Sequence, residues 1–198
     1  MDNKIIIAID AMGGENAPYK NIEGVSLYLK KNSKKKDVYF NLYGDKDLIK
    51  KELDRHNISS EMYSIFSCST VVSDEETPLT AIKNSKDSSM WNSINSQITS
   101  NSNITLSAGN TGVLFVVSRM LLKTIEAVSK PALAGLWPSK KNMNVVLDLG
   151  ANVECDEKNL IDFSEMGAAL YKALFPDDNP KVALLNIGSE EIKGTEVL

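Results

Sequence analysis

The chain has 198 residues, 22 Lys and Arg against 26 Asp and Glu, and a net charge of -4. At 42% hydrophobic and 24% charged it is an ordinary globular composition, which excludes a disordered chain and leaves no basic excess to draw it to nucleic acid or anionic lipid. Two cysteines, Cys68 and Cys155, exclude a disulfide framework, and apolar runs no longer than residues 5–9 and 113–117 exclude a membrane-spanning helix of about 20 residues.

The amino terminus has no basic start followed by a long apolar stretch, so no secretory signal is expected and the compartment is expected to be the cytoplasm. Residues 5–9, Ile-Ile-Ile-Ala-Ile, read as a strand covered on both faces. The break Asp10-Ala11-Met12-Gly13-Gly14 follows, and Pro18 suits the first turn of a helix striped by Ile22, Val25 and Leu29. A second strand is expected over 38–43 and a helix over 47–56. A third strand spans 63–68, then a polar segment 69–77, with Pro78 opening a short helix. Met90, Ile94 and Ile98 mark another helical face. A strand over 103–107 leads through Ala108-Gly109-Asn110-Thr111-Gly112 into a strongly apolar helix reaching about Lys123.

The stretch 129–142, with Pro131 and Pro138, is the best candidate boundary within an expected single domain. Beyond it come a strand over 144–148, the break 149–152, a helix striped by Leu160, Phe163, Met166 and Leu170, and a last strand over 181–187 ending at Gly188, with a further helix starting after it. Strands alternating with helices predict a three-layer, doubly wound α/β fold, a mostly parallel sheet with helices on both faces.

In such sheets ligands bind outside the carboxyl ends of the strands. Four ends carry small and polar residues: 10–14, 107–112, 148–152 and 186–188. Gly109, Asn110, Thr111 and Gly112 join strand to helix, where close backbone approach and unpaired amides suit an anion such as phosphate. The same residues equally suit a tight turn with Thr111 as cap. Asp10 with Gly13 and Gly14 reads as an orienting carboxylate at a loop, because a carboxylate beside a bound anion repels it. Asp148 and Asn152 flank Gly150; Asn152 reads as an uncharged donor to an oxyanion, or the site reads as an Asx-type turn. Cys155 lacks a neighbouring base, and His56, the one histidine, reads as a surface helix end, so neither a triad nor a histidine metal site is expected. Basic residues cluster at Lys30, Lys31 and 34–36, and again at Arg119, Lys123, Lys130, Lys140 and Lys141. They read as solvated ends or as docking for an acidic partner.

Taken together, these strand ends resemble the bacterial phosphate acyltransferase family (acyl-acyl-carrier-protein:phosphate acyltransferase). Six pieces carry the resemblance in order: 9–18 (Ile-Asp-Ala-Met-Gly-Gly-Glu-Asn-Ala-Pro), 86–90 (Lys-Asp-Ser-Ser-Met), 107–112, 130–134 (Lys-Pro-Ala-Leu-Ala), 146–153 (Val-Leu-Asp-Leu-Gly-Ala-Asn-Val) and 184–188 (Leu-Leu-Asn-Ile-Gly). The resemblance implies transfer of a fatty acyl group from the thioester of acyl carrier protein to inorganic phosphate, giving an acyl phosphate for phospholipid synthesis. It implies a fold similar to that of phosphotransacetylases and isocitrate dehydrogenase, a homodimer, no cofactor and no metal. It also implies peripheral membrane contact through family segments that follow the position of Leu198, so that residues 1–198 read as the amino-terminal part of a longer fold. Under it, Gly109, Asn110, Thr111 and Gly112 cradle phosphate, Asn152 and Asn186 donate near the acyl carbonyl, Lys193 balances phosphate charge, and Asp10 orients the first loop. Lys83 and Lys130 stand where the family usually has arginine. The alternatives are a phosphotransacetylase-like enzyme using coenzyme A thioesters, or an inactive fragment that binds phosphate or carrier protein.

Overall fold

The structure, a computed structural model, describes residues 4–32, 37–73, 75–77, 80, 83, 85–140, 142–186 and 188. The expected helix at Pro78, the lysines at 34–36, Lys141, Lys193 and the helix expected after Gly188 lie outside the described residues. Two compact units are present, Met1–Lys123 and Thr124–Leu198.

In the first unit, four strands form a parallel sheet: β1 (Ile5–Asp10), β2 (Val38–Gly44), β3 (Tyr63–Ser67) and β4 (Ile104–Leu106), in the order β3-β2-β1-β4. The helices are α1 (Tyr19–Lys31), α2 (Lys46–Arg55), α3 (Ser89–Ile98) and α4 (Thr111–Leu122). Strand alternation sends odd and even positions to opposite faces. Ile7 and Ile9 of β1, with Phe40 and Leu42 of β2, pack against Ile22 and Val25 of α1 and Ile49 and Leu53 of α2. Ala8, Asp10, Asn41 and Tyr43 therefore face the other way, where α3 crosses β1, β2 and β4.

That second face is small and polar. Ser93 and Ser96 of α3 are buried, and each hydroxyl returns a hydrogen bond to its own helix, to Met90 O and Ser93 O. Small side chains bonded back to the helix let it settle close on the sheet with the Ser93 and Ser96 hydroxyls satisfied. A second apolar cluster, Val72, Met90, Ile94, Val113 and Val117, joins α4 to α3. α4 ends at Lys123, whose positive φ of 62° turns the chain out of the helix.

The second unit has an antiparallel pair, β5 (Gly135–Pro138) with β6 (Met143–Val146), and the long helix α5 (Glu157–Leu174). Two expectations are corrected here. The strand expected over 144–148 does not join a parallel sheet. It pairs antiparallel with β5, which lies inside the stretch read as a boundary. Residues 181–186 are not a strand, with Val182, Leu184 and Leu185 59%, 56% and 80% exposed. An apolar run becomes a strand only when a neighbour takes its backbone hydrogen bonds, and no described strand pairs with it.

Candidate functional site

The order β3-β2-β1-β4 reverses between β1 and β4: the chain runs outward from β1 to β3 and then returns to the far side of β1. Such a switch point opens a crevice at the strands' carboxyl ends. Here those ends are Asp10 and Ser107, and the Ser107 hydroxyl donates to Asp10 Oδ2 at 2.7 Å. Ser107 Oγ in turn accepts the Gly109 amide at 3.1 Å.

The two loops touch through glycine. A Cβ on Gly13 would stand 2.5 Å from Asp10 Oδ2, 2.9 Å from Gly109 N and 3.0 Å from Ser107 Oγ. Asn21 of α1 straps the first loop from behind, its Nδ2 donating to Ala11 O at 2.9 Å and Gly13 O at 3.0 Å.

α4 starts at this corner. Asn110, not Thr111, is its cap: Asn110 Oδ1 accepts the Val113 amide at 3.1 Å, while Nδ2 donates to Glu76 O at 3.1 Å. The turn reading is right about a cap and wrong about its owner. The physical reason is that the cap must be the last non-helical residue, and helical geometry begins at Thr111. The Gly109 amide is taken by Ser107, so the amides at the helix start without a hydrogen bond among the described residues are those of Thr111 and Gly112. Both residues are exposed, and no acidic side chain lies in the first turn to offset the helix dipole.

In the second unit, the corner after β6 is built around Asp148. Oδ1 accepts from Leu133 N at 2.8 Å and Ala151 N at 3.3 Å, and Oδ2 from Asn152 N at 2.7 Å and Asn152 Nδ2 at 3.1 Å. Asn152 Nδ2 also reaches Pro131 O at 2.8 Å. The side-chain donor of Asn152 is therefore engaged inside its own unit. Desolvation pushes the Asp148 carboxyl up, but the four hydrogen bonds together outweigh it and hold the group below the usual aspartate value.

A family model described as "Fatty acid synthesis protein" matches residues 5–198. The chain belongs to the fatty acid synthesis protein family. Relatives called "Phosphate acyltransferase" include those of Pelagibacter ubique, 50% identical over all of this chain and 58% of the relative, and of Ehrlichia ruminantium, 41% identical over 98% of this chain and 57% of the relative. The chain thus spans a little over half the length of these relatives. Among solved structures, the EutD phosphotransacetylase from Staphylococcus aureus matches with a TM-score of 0.61 at 12% identity, over 88% of this chain and 55% of that one. That likeness bears out the α/β fold with a mostly parallel sheet.

Within this family member, the structure brings Asp10, Gly13 and Gly14 together with Gly109, Asn110, Thr111 and Gly112 at one corner. Asn152 belongs to the Asp148 corner of the other unit, and Asn186 is exposed in the same unit. His56 caps the end of α2 and is half-buried beside the Tyr19 ring, at 6.3 Å between centroids, rather than fully at the surface. Sequence reasoning assigned no role to Ser107, Ser89 or Asn21. Ser107 lay within the quoted motif, but a serine at a strand end carries no signal of which carboxylate it will meet. Asn21 looked like any polar helix position.

Asp10 is 1% exposed, and burial pushes its carboxyl above the usual aspartate value, against the pull of the Ser89 and Ser107 hydroxyls and the Met12 and Gly13 amides. Among the described residues its Oδ1 has no partner at hydrogen-bond distance. A carboxyl whose folded pKa is raised favours folding fully below the unfolded value of 3.8, and that contribution is lost as pH rises through the folded value. The melting temperature of Asp10→Asn relative to wild type should therefore climb as pH is raised from 3.5 toward neutrality (about those limits, set by the reference pKa). A difference independent of pH would show that Asp10 titrates normally.

Proposed function

We propose that this chain carries the phosphate-binding half of an acyltransferase that moves a fatty acyl group from the thioester of acyl carrier protein to inorganic phosphate. The observation that carries the reading is the start of α4, where the Thr111 and Gly112 amides point out of an uncompensated helix dipole beside a glycine corner. The name carried by the relatives, phosphate acyltransferase, supports acyl transfer and phosphate as parts of this reading.

In the reaction, a phosphate oxygen attacks the thioester carbonyl. The C–O bond forms, the C–S bond breaks, and the carrier's thiolate leaves, so the product is an acyl phosphate. Phosphate supplies the nucleophile, and a thiolate is a good leaving group, so no enzyme nucleophile or strong general acid is required. What remains is to hold the anion and stabilise the developing oxyanion by fixed dipoles. The Thr111 and Gly112 amides and the Thr111 hydroxyl hold phosphate, with Gly109 and Asn110 as their frame. Asn186 and Lys193, and Asn152 on release of its Nδ2 from Pro131 O or Asp148, are proposed to act on the carbonyl and the phosphate charge, Asp10 to orient the first loop. The reading extends to one α/β domain continuing into a longer chain, a homodimer, a cytoplasmic protein with peripheral membrane contact, and a place in phospholipid synthesis.

The test is to incubate the purified chain with acyl-carrier-protein thioester and phosphate and trap acyl phosphate as its hydroxamate. Phosphate-dependent hydroxamate from the carrier donor, exceeding that from the coenzyme A donor, is the expected result. Coenzyme A preference would replace the donor, and no product with either would overturn the activity for this chain.

A further inference from the structure

We infer that Ser107 is a positioning residue for the anion site, set by Asp10, and that it removes the Gly109 amide from the phosphate cradle. The inference rests on reading the α4 corner as a phosphate site and says which of its amides do the binding.

The geometry forms a chain of three groups. A serine hydroxyl has one hydrogen to give and lone pairs to receive. Asp10 Oδ2 takes that hydrogen at 2.7 Å, which leaves Ser107 Oγ facing the Gly109 amide as acceptor at 3.1 Å. Asp10 is held in place by burial, and β1 carries it on the face toward α3, so the anchor of this chain is part of the sheet. On the helix side, Asn110 Oδ1 holds the Val113 amide. Of the three amides between these locks, those of Thr111 and Gly112 have no hydrogen bond among the described residues and are the ones left for a ligand.

Ser107 therefore acts in two ways. It fixes the peptide orientation through which the chain enters α4, and it occupies a donor that would otherwise compete for the anion from a different direction. Gly109 is then needed for its lack of a side chain: a Cβ there would stand 3.0 Å from Met90 Cε and 3.3 Å from Gly13 Cα. Its amide is inward, and the expectation that all four residues of 109–112 cradle phosphate contracts to the last two. Ser107 touches no substrate in this arrangement, and its effect passes through Gly109.

The experiment is a titration of the ¹⁵N-labelled chain with inorganic phosphate, followed by amide resonances, in wild type, Ser107→Ala and Ser107→Thr. In wild type the largest shifts should fall on Thr111 and Gly112, with Gly109 moving less. In Ser107→Ala the Kd for phosphate should rise about ten-fold, the scale of one lost orienting hydrogen bond, and Gly109 should join the responding amides. Ser107→Thr keeps the hydroxyl and should restore both affinity and pattern. Thermal unfolding of each variant separates loss of fold from loss of orientation, and the wild-type pattern stands without any variant. Phosphate that moves Gly109 as strongly as Thr111 in wild type, or binds Ser107→Ala with unchanged pattern and affinity, overturns the role of Ser107 alone. Phosphate that moves none of these amides overturns both that role and the phosphate site.

Discussion

Replacing Gly13 with alanine should destabilise the first unit by about 3 kcal/mol and abolish phosphate binding, the overpacking penalty at the top of its usual range. The new Cβ would meet Asp10 Oδ2 at 2.5 Å, the Gly109 amide nitrogen at 2.9 Å and Ser107 Oγ at 3.0 Å. None of these can swing aside. Asp10 is buried in the sheet, Gly109 N is backbone, and Ser107 is held by both. Relief must come from parting the loop after β1 from the loop after β4, which opens the corner at the switch point. Gly24, in the exposed middle of α1, is the control: a Cβ there meets nothing within 4 Å. Gly24→Ala should gain about 0.5–1 kcal/mol by restricting the unfolded chain. Urea unfolding with calorimetric phosphate titration checks both. A Gly13→Ala protein that unfolds and binds like wild type would show that the two loops are not in close register.

Asp148→Ala should destabilise the second unit by about 3 kcal/mol, because it strips acceptors from the Leu133, Ala151 and Asn152 amides at once. Here the pH sign is opposite to that at Asp10. The folded carboxyl lies below its ordinary value, so its contribution is present above the unfolded value of 3.8 and is lost as pH falls through the folded value. The gap between variant and wild type should thus be widest near neutrality and close in acid. The two tryptophans, Trp91 and Trp137, sit one in each unit, so Trp137 fluorescence in a Trp91→Phe background reports the second unit. An unchanged midpoint for Asp148→Ala would mean that water replaces the carboxylate without loss.

The first unit was largely legible from local pattern. Continuous apolar runs read as strands covered on both faces, and β1 to β4 fall within a residue or two of the expected positions. The start of α2 fell within a residue of the expected position, while the caps themselves came only with the structure: Asp45 accepts the Asp47 and Leu48 amides, Ser88 accepts that of Trp91, and Asn110 rather than Thr111 caps α4. The second unit was less legible. The run 181–186 has strand composition but no described pairing partner, and β5 hid in a Pro- and Gly-containing stretch that reads as a break.

Composition, apolar periodicity and the glycine-bearing breaks alone determined the class of this protein, a mostly parallel α/β chain with small polar residues at its strand ends, and its motif set pointed to its family. These are properties of neighbouring residues, and short-range sterics and capping express them without reference to the rest of the chain. Only the tertiary structure decided that β4 lies beside β1, so that Ser107 meets Asp10 across nearly a hundred residues and turns the Gly109 amide inward. A hydrogen bond depends on a fit of a few tenths of an ångström between groups distant in sequence. No local pattern carries that distance, and the folded sheet does.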